Sequence, residues 1–249
     1  MPQYPIHPDG ANPFEIRFQD HAPMKTLQTL PRTGSLEQYL FYIGDQGTEG
    51  SCSAMSGCQI MSMSWYKKHG QKLRFSEQML YEVERFAQGD PQEDTGARLR
   101  VTQYSLQTVG VCLEALDPNT PEDFLVRLTP AMLQDAAQHK IAHGYAAPST
   151  LEILNALDQG YVPQLGIRVH QSFESPEVAK TGRVPMPRPT EGDTLLGGHA
   201  VAAIAYNLDA GWVKAANSWG APWGDHGCFY LPLAYLDHYL LSARVYDVI

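Results

Sequence analysis

The apolar pattern of this chain changes halfway along, from helical periodicity to short strands, and no βα unit repeats. The helical periodicity predicts helices over 52–69, 76–87, 97–109 and 151–159, another after Pro130, and a short one from Thr120 and Pro121. Apolar runs bounded by Gly, Pro, Asn and Asp predict strands over 161–169, 200–206, 211–216, 227–231 and 244–248. Helices followed by strands indicate an α+β fold with two unlike lobes, in which the sheet is antiparallel or barrel-like.

Residues 1–30 are predicted to form an irregular arm, because prolines recur through them and forbid a long helix. A wrapped strap, a short pro-segment and a disordered tail are the alternatives. A strap is favoured, since Phe14, Ile16 and Phe18 alternate like a half-buried strand. A second proline-rich stretch, 175–197, is predicted to be a long loop.

Composition excludes several classes of protein. With 18 basic and 27 acidic residues, the net charge of −9 argues against nucleic-acid binding, which needs a basic surface. No run of 18 apolar residues is present, so we expect no membrane-spanning helix. The N-terminus has no charged region followed by an apolar run, so we expect a cytoplasmic protein or one exported without a classical signal peptide. The sequence does not indicate the oligomeric state.

Among the four cysteines, Cys52 has the most suggestive position. It lies at the predicted start of a helix, after a glycine-containing turn over 45–51, with Ser51 as the expected N-cap. The helix N-terminus stabilises a thiolate, which predicts a lowered pKa and a nucleophilic sulfur. A buried, inert cysteine is an equally good interpretation of the position alone. Cys58 lies with Ala54, Met61 and Trp65 on the predicted inward stripe of the same helix.

Two further residues have the chemistry to assist a thiol. His199 begins an apolar strand directly after Gly197 and Gly198, and Asn217 ends the next predicted strand. The amide oxygen of Asn217 is expected to accept a hydrogen bond from His199 Nδ1, which leaves Nε2 to face the thiol. Trp219 follows two residues later and is expected to shield this contact from water.

Gln46, Cys52, His199 and Asn217 occur in this order, with His199 147 positions after Cys52, and at these residues the chain resembles the papain-like cysteine peptidases. The resemblance covers the chain from about residue 30 onward, and several of its segments are similar to bacterial-type members. These segments are 75–78, 93–100, 109–112, 160–163 and 217–224.

The resemblance implies a two-lobed fold for residues 31–249, with the active site in the cleft between a helical lobe (about 45–130) and a β-rich lobe (about 140–249). It implies that Cys52 is the nucleophile of a thiol protease, that His199 is the general base and then the acid, and that Asn217 orients His199. Gln46 and the Cys52 backbone N–H would stabilise the oxyanion. Gly96, Gly198 and Trp219 would contact a protein or peptide substrate. No cofactor is implied.

The chain departs from the family pattern in three places. Glu49 stands where many members have a cysteine, so the usual disulfide of this loop cannot form, and Ser53 replaces the Trp that commonly follows the nucleophile. Residues 1–30 are too short and proline-rich to be the usual helical pro-domain.

Alternatives to an endopeptidase remain open at this point. An acyl transferase or amidase would use the same Cys–His pair, and a catalytically silent protein would bind a partner in the cleft. A metal site at His139 and His143 is disfavoured, since no carboxylate or cysteine lies at a supporting spacing. Two groups of acidic residues are expected on solvated surfaces: Glu77, Glu82 and Glu84, and Asp90, Glu93 and Asp94.

Overall fold

The computed structural model of this chain describes residues 4–10, 12, 15–120 and 128–249. Its α-helices are α1 (Phe18–His21), α2 (Cys52–His69), α3 (Glu77–Gln88), α4 (Leu99–Thr108), α5 (Pro130–Ala136), α6 (Thr150–Asp158), α7 (Pro176–Thr181) and α8 (Leu233–Tyr239). Its strands are β1 (Thr33–Ser35), β2 (Ile141–Ala146), β3 (Gln164–His170), β4 (Leu195–Asn207), β5 (Trp212–Ala216), β6 (Cys228–Pro232) and β7 (Leu240–Val248). The α+β fold predicted from the sequence is confirmed.

The seven strands of the described residues form one antiparallel sheet in the order β2-β7-β3-β4-β5-β6, with β1 paired to β4. Strand β4 is the longest and lies between β3 and β5. Its register places His199 opposite Ile167 of β3 and Ala202 opposite Ala216 of β5. His199 therefore lies within a paired strand, and Asn217 comes immediately after the neighbouring one.

Helix α2 is the central helix and has the predicted bounds. Gly70 ends it in the left-handed conformation (φ 71°), where glycine carries no Cβ penalty. The predicted inward stripe is confirmed, because Ala54, Cys58 and Met61 are fully buried and Trp65 packs half-buried against the core. Burial is not confined to that stripe, since every residue from Cys52 to Met63 is buried. The helix packs against β4 on one side and against α3 and α4 on others, so its early turns have no solvent face. Ser51 lies at the predicted N-cap position, but its side chain makes no cap hydrogen bond.

The expectation that α3 presents its acidic residues to solvent is wrong. Glu77, Glu82 and Glu84 are all buried, because α3 packs against both α2 and α4. The Glu84 carboxylate accepts hydrogen bonds from the hydroxyls of Ser53 and Thr102, each at 2.6 Å. Burial raises the pKa of Glu84 to about 7.

Other differences from the predicted elements have local causes. Phe18 begins α1 and Ile16 is exposed, so the predicted strand at 14–18 is wrong, and Phe14 itself lies outside the described residues. Strand β2 was not predicted, since a register shift between Ile141 and His143 breaks its alternation. Helix α7 lies inside the predicted loop at 175–197, where the Ser175 hydroxyl accepts from Val178 N–H as an N-cap. The short helix predicted from Pro121 lies outside the described residues.

All four cysteines are buried and free. Within the described ranges, no group of three or more His, Cys, Asp or Glu side chains has an arrangement that could hold a metal ion. No helix of the described chain combines the length and apolar character needed to cross a membrane.

Candidate active site

Cys52 lies at the first turn of α2, where that helix packs against β4. Its side chain is fully buried in a small cluster with Leu99 of α4 and Ala200 of β4. The backbone N–H of Ala200 donates a hydrogen bond to the sulfur. Because Ala200 directly follows His199 in sequence, the packing of α2 against β4 brings the Cys52 thiol to the part of β4 that carries His199.

His199 is fully buried, and its ring is oriented by Asn217. The Nε2 atom lies 2.7 Å from Asn217 Oδ1. The other ring nitrogen, Nδ1, is buried and has no hydrogen-bond partner among the residues that the structure describes. The predicted assignment of the two nitrogens is therefore wrong: Nε2 faces the amide and Nδ1 is the unpaired one. Residue spacing brings the two side chains together but carries no information on ring orientation.

Trp219 covers the histidine–asparagine contact. Its ring stacks on that of His199, with centroids 5.1 Å apart and an interplanar angle of 28°. Phe173 and Trp223 pack edge-on against Trp219 at 5.6 and 4.8 Å. This aromatic cluster keeps water away from the hydrogen bond between His199 and Asn217.

Gln46 is connected to this site through Ser218. The Ser218 hydroxyl donates to Gln46 Oε1 at 2.5 Å, and the Ser218 backbone N–H donates to Asn217 Oδ1 at 2.9 Å. The Gln46 side-chain amide nitrogen donates to the Glu49 carbonyl at 2.7 Å. An amide nitrogen carries two N–H donors, so Glu49 uses one of them.

Residues 4–6 of the N-terminal arm run across the site. The Ile6 N–H donates to the Gly198 carbonyl and the Gly198 N–H donates to the Tyr4 carbonyl, each at 3.0 Å. The Tyr4 ring lies edge-on to both His199 and Trp219, at 6.0 and 6.1 Å, and its hydroxyl donates to Glu174. Both backbone hydrogen-bonding groups of Gly198 are thus occupied by the arm.

The arm continues to the opposite wall of the site. Ile6 packs in the same cluster as Cys52, and the Pro5 ring lies against Gly96. A Cβ atom at Gly96 would overlap the Pro5 ring, and the φ of +71° also favours glycine there. A Cβ at Gly198 would overlap the Ile6 carbonyl. The two glycines predicted to contact substrate therefore both contact the arm.

Beyond residue 6 the arm is held by buried charge. Arginines of the folded body bind the arm here. Arg244 forms an ion pair with Asp9 at 2.6 Å, and the Arg100 side chain donates a hydrogen bond to the Gly10 carbonyl at 2.8 Å. The side chains of Arg244 and Asp9 are almost fully buried. Screening by water is weak for such a pair.

Burial controls the protonation of the catalytic candidates in this closed arrangement. It raises the pKa of the Cys52 thiol to about 12, and it lowers the pKa of His199 to about 4. Both groups are therefore neutral near pH 7. The lowered Cys52 pKa expected from the helix N-terminus is wrong for this arrangement, because desolvation outweighs the hydrogen bond from Ala200.

Sequence reasoning missed three residues of this site: Tyr4, Ser218 and Glu84. Ser218 lies between two residues of the motif, so its position was a usable signal. Tyr4 is far from the motif in sequence, and only the fold brings it to His199. Glu84 is buried and accepts a hydrogen bond from Ser53, the residue that follows Cys52. Its negative charge adds to the effect of burial in raising the pKa of the Cys52 thiol.

A thiol at a helix start, a histidine on an adjacent strand and an asparagine after the next strand define the papain-like class of fold and site. The comparisons with known proteins agree. Residues 32–238 match the model of the papain family cysteine proteases, so the chain belongs to that family. An uncharacterized peptidase C1-like protein of Acanthamoeba polyphaga mimivirus is 31% identical over 202 residues, covering 77% of this chain. The chain spans 64% of the length of that relative.

Solved structures show the same fold at low identity. Xylellain, a cysteine protease from Xylella fastidiosa, is similar with a TM-score of 0.89 and 24% identity, covering 100% of this chain and 97% of its own. Digestive procathepsin L 3 from the larval midgut of Tenebrio molitor is similar with a TM-score of 0.70 and 17% identity, covering 94% of this chain and 74% of its own. The predicted two-lobed papain-like fold is confirmed.

Proposed function

We propose that this protein is a cysteine endopeptidase in which Cys52 is the nucleophile, His199 the proton carrier and Asn217 the residue that orients His199. The observation that carries the proposal is the buried contact of His199 Nε2 with Asn217 under Trp219. That contact fixes the ring and leaves Nδ1 without a hydrogen-bond partner among the described residues, and Cys52 packs against Ala200, the next residue along β4. A base oriented by a third group is the arrangement that activates a nucleophile.

The proposed reaction has two stages. His199 Nδ1 takes the thiol proton while Cys52 sulfur bonds to the carbonyl carbon of the scissile peptide. Collapse of the tetrahedral intermediate breaks the C–N bond, and His199 gives its proton to the leaving amine. Water, deprotonated by His199, then attacks the thioester, releases the carboxylic acid and restores the thiol.

Gln46 supports the first stage. Its Oε1 is held by Ser218 and one of its N–H donors by Glu49, so the side-chain amide is fixed before any substrate arrives. The second N–H, together with the Cys52 backbone N–H at the helix start, would donate to the developing oxyanion. A donor that needs no reorganisation is worth several kcal/mol to such a transition state, about 3 for one hydrogen bond.

We also propose that the arm keeps the enzyme latent, as a short pro-like segment would. Residues 4–6 use both backbone groups of Gly198 and lie against Gly96, so a peptide substrate cannot form these contacts until the arm leaves. The neutral thiol and imidazole of the closed site agree with a resting state.

Peptide cleavage by a chain with an open site tests the function. In the open-arm variant, Tyr4, Pro5 and Ile6 are replaced by glycine, which keeps the chain length and the Asp9 anchor. We expect this variant to cleave peptides of a denatured proteome, and the same variant with Cys52→Ala to be inactive but folded. Retained cleavage after Cys52→Ala contradicts the proposal. Hydrolysis of small amides without peptide cleavage would instead favour the amidase alternative.

A further inference from the structure

Two glycines from different loops enclose the chain that lies in the site. Gly50 precedes Cys52 by two residues, and Gly96 belongs to the loop between α3 and α4. A Cβ atom built on Gly50 would lie 3.0 Å from Pro5 Cγ, and one on Gly96 would overlap the Pro5 ring. The separation of these two backbone segments therefore sets the width of the groove that holds an extended chain.

One carboxylate connects the two loops. The Gly50 N–H donates to Asp94 Oδ1 and Oδ2, at 2.9 and 3.1 Å. The Tyr81 hydroxyl donates to Asp94 Oδ1 at 2.5 Å and accepts from the Gly96 N–H at 3.0 Å. Asp94 thus binds one glycine directly and the other through a single hydroxyl.

The intermediate hydroxyl has a fixed direction of donation. Tyr81 is fully buried on α3, and the Arg85 guanidinium lies 4.5 Å from its ring centroid. Burial and the contact with Asp94 raise the Tyr81 pKa well above its usual value. The hydroxyl therefore stays protonated, so it always donates to Asp94 and is free to accept from Gly96.

We propose that Asp94 is a positioning residue for peptide binding, which holds Gly50 and Gly96 at the separation that an extended peptide backbone requires. The inference rests on the proposed function, since the peptide is its substrate. Asp94 touches no reacting atom in this account. Its contribution is to peptide capture and not to the reactivity of the Cys52 sulfur.

The hydrogen bonds themselves can be tested without any activity. In full-length protein, Asp94→Ala should speed amide hydrogen exchange at both Gly50 and Gly96, by about tenfold or more for the loss of a charge-assisted hydrogen bond. Tyr81→Phe should speed exchange at Gly96 and leave Gly50 unchanged. Equal exchange in Asp94→Ala and the parent overturns the proposal.

The functional consequence is tested by two thiol reagents in the open-arm variant. Iodoacetamide is too small to use the glycine walls, whereas a peptidyl vinyl sulfone must lie between them. We expect Asp94→Ala to lower the labelling rate by the vinyl sulfone about tenfold or more, with the iodoacetamide rate within about twofold. Asp94→Asn, which keeps an acceptor oxygen, should recover part of the loss.

Asp135→Ala is the matched control, since the Asp135 carboxylate also binds a backbone N–H, that of Leu113, but outside this groove. We expect it to change neither labelling rate. A parallel fall of both rates in Asp94→Ala, or no fall in either, overturns the positioning role. If the parent reacts with neither reagent, the proposed function fails, and the exchange experiment still decides the role of Asp94.

Discussion

His199 and Asn217 meet through Nε2 and Oδ1, 2.7 Å apart in a fully buried environment. The hydrogen bond makes Nε2 the protonated nitrogen of the neutral ring, since the amide oxygen only accepts. Nδ1 then carries a lone pair, as a base for the thiol must. One hydrogen bond thus sets both the tautomer and the orientation of the ring.

Asn217→Ala should lower kcat/KM for peptide cleavage about 10- to 100-fold in the open-arm variant, because hydrogen bonds to a group that becomes charged are worth about 1.5–3 kcal/mol. Asn207→Ala, at the end of β4 and away from the site, is the control and should have no effect. Steady-state kinetics measures both. An unchanged kcat/KM in Asn217→Ala would show that the contact does not serve the reaction.

Gln46→Ala should lower kcat about 100-fold and leave KM nearly unchanged, since an oxyanion donor acts only on the transition state. Ser218→Ala keeps the amide but removes the hydroxyl that holds its oxygen, so its kcat should fall less. If Gln46→Ala raised KM by as much as it lowered kcat, the result would instead indicate a role of Gln46 in substrate binding.

Because the arm is proposed to keep the enzyme latent, we expect the open-arm variant to cleave peptides faster than the unaltered chain. If the open state is populated at about 0.1–10%, the gain is about 10- to 1000-fold. A synthetic peptide of residues 4–10 should inhibit the variant in trans, and the same peptide with Pro5 and Ile6 replaced by glycine should not. Equal rates for the variant and the unaltered chain would contradict latency and leave the proposed chemistry intact.

The part of this site that the sequence predicts is the part built from contiguous motifs. The turn before Cys52 and the position of Asn217 after a strand can be predicted from local sequence, and the predicted bounds of α2 agree with the structure. The predicted start of the strand at His199 is wrong, because β4 begins at Leu195, inside the predicted loop. The ring nitrogens of His199 were assigned wrongly, because a rotamer depends on packing with Trp219 and on the β4–β5 register.

Burial was the other quantity that sequence could not provide. The charges of Glu77, Glu82 and Glu84 favour a solvated surface, but α3 packs against both α2 and α4. The contacts of Tyr4 and Pro5 depend on how the arm folds back over some 190 intervening residues to Gly198 and His199. Neither hydrophobic periodicity nor the spacing of residues in sequence predicts that the arm folds back onto these residues.

Buried Glu84 predicts a loss of stability as the pH rises. Its pKa is about 7 in the folded protein and near 4.5 when exposed, so its stabilising contribution is complete below about pH 4.5 and is lost as the pH rises through 7. Glu84→Gln should reduce the pH-dependent change in the free energy of unfolding by up to about 3 kcal/mol. Urea unfolding at pH 5 and pH 8 measures it for both proteins. The same pH dependence in Glu84→Gln would contradict the assignment.

Covalent labelling shows whether the Cys52 thiol is the peptidase nucleophile. The open-arm variant is treated with one equivalent of a peptidyl epoxide at pH 7, and the modified residue is mapped by mass spectrometry. We predict one adduct per chain, on Cys52, with Cys58, Cys112 and Cys228 unmodified because all three are buried away from the groove. His199→Ala should slow the reaction strongly. An adduct on another cysteine, or none while iodoacetamide still reaches Cys52, would contradict the assignment of Cys52 as a peptidase nucleophile.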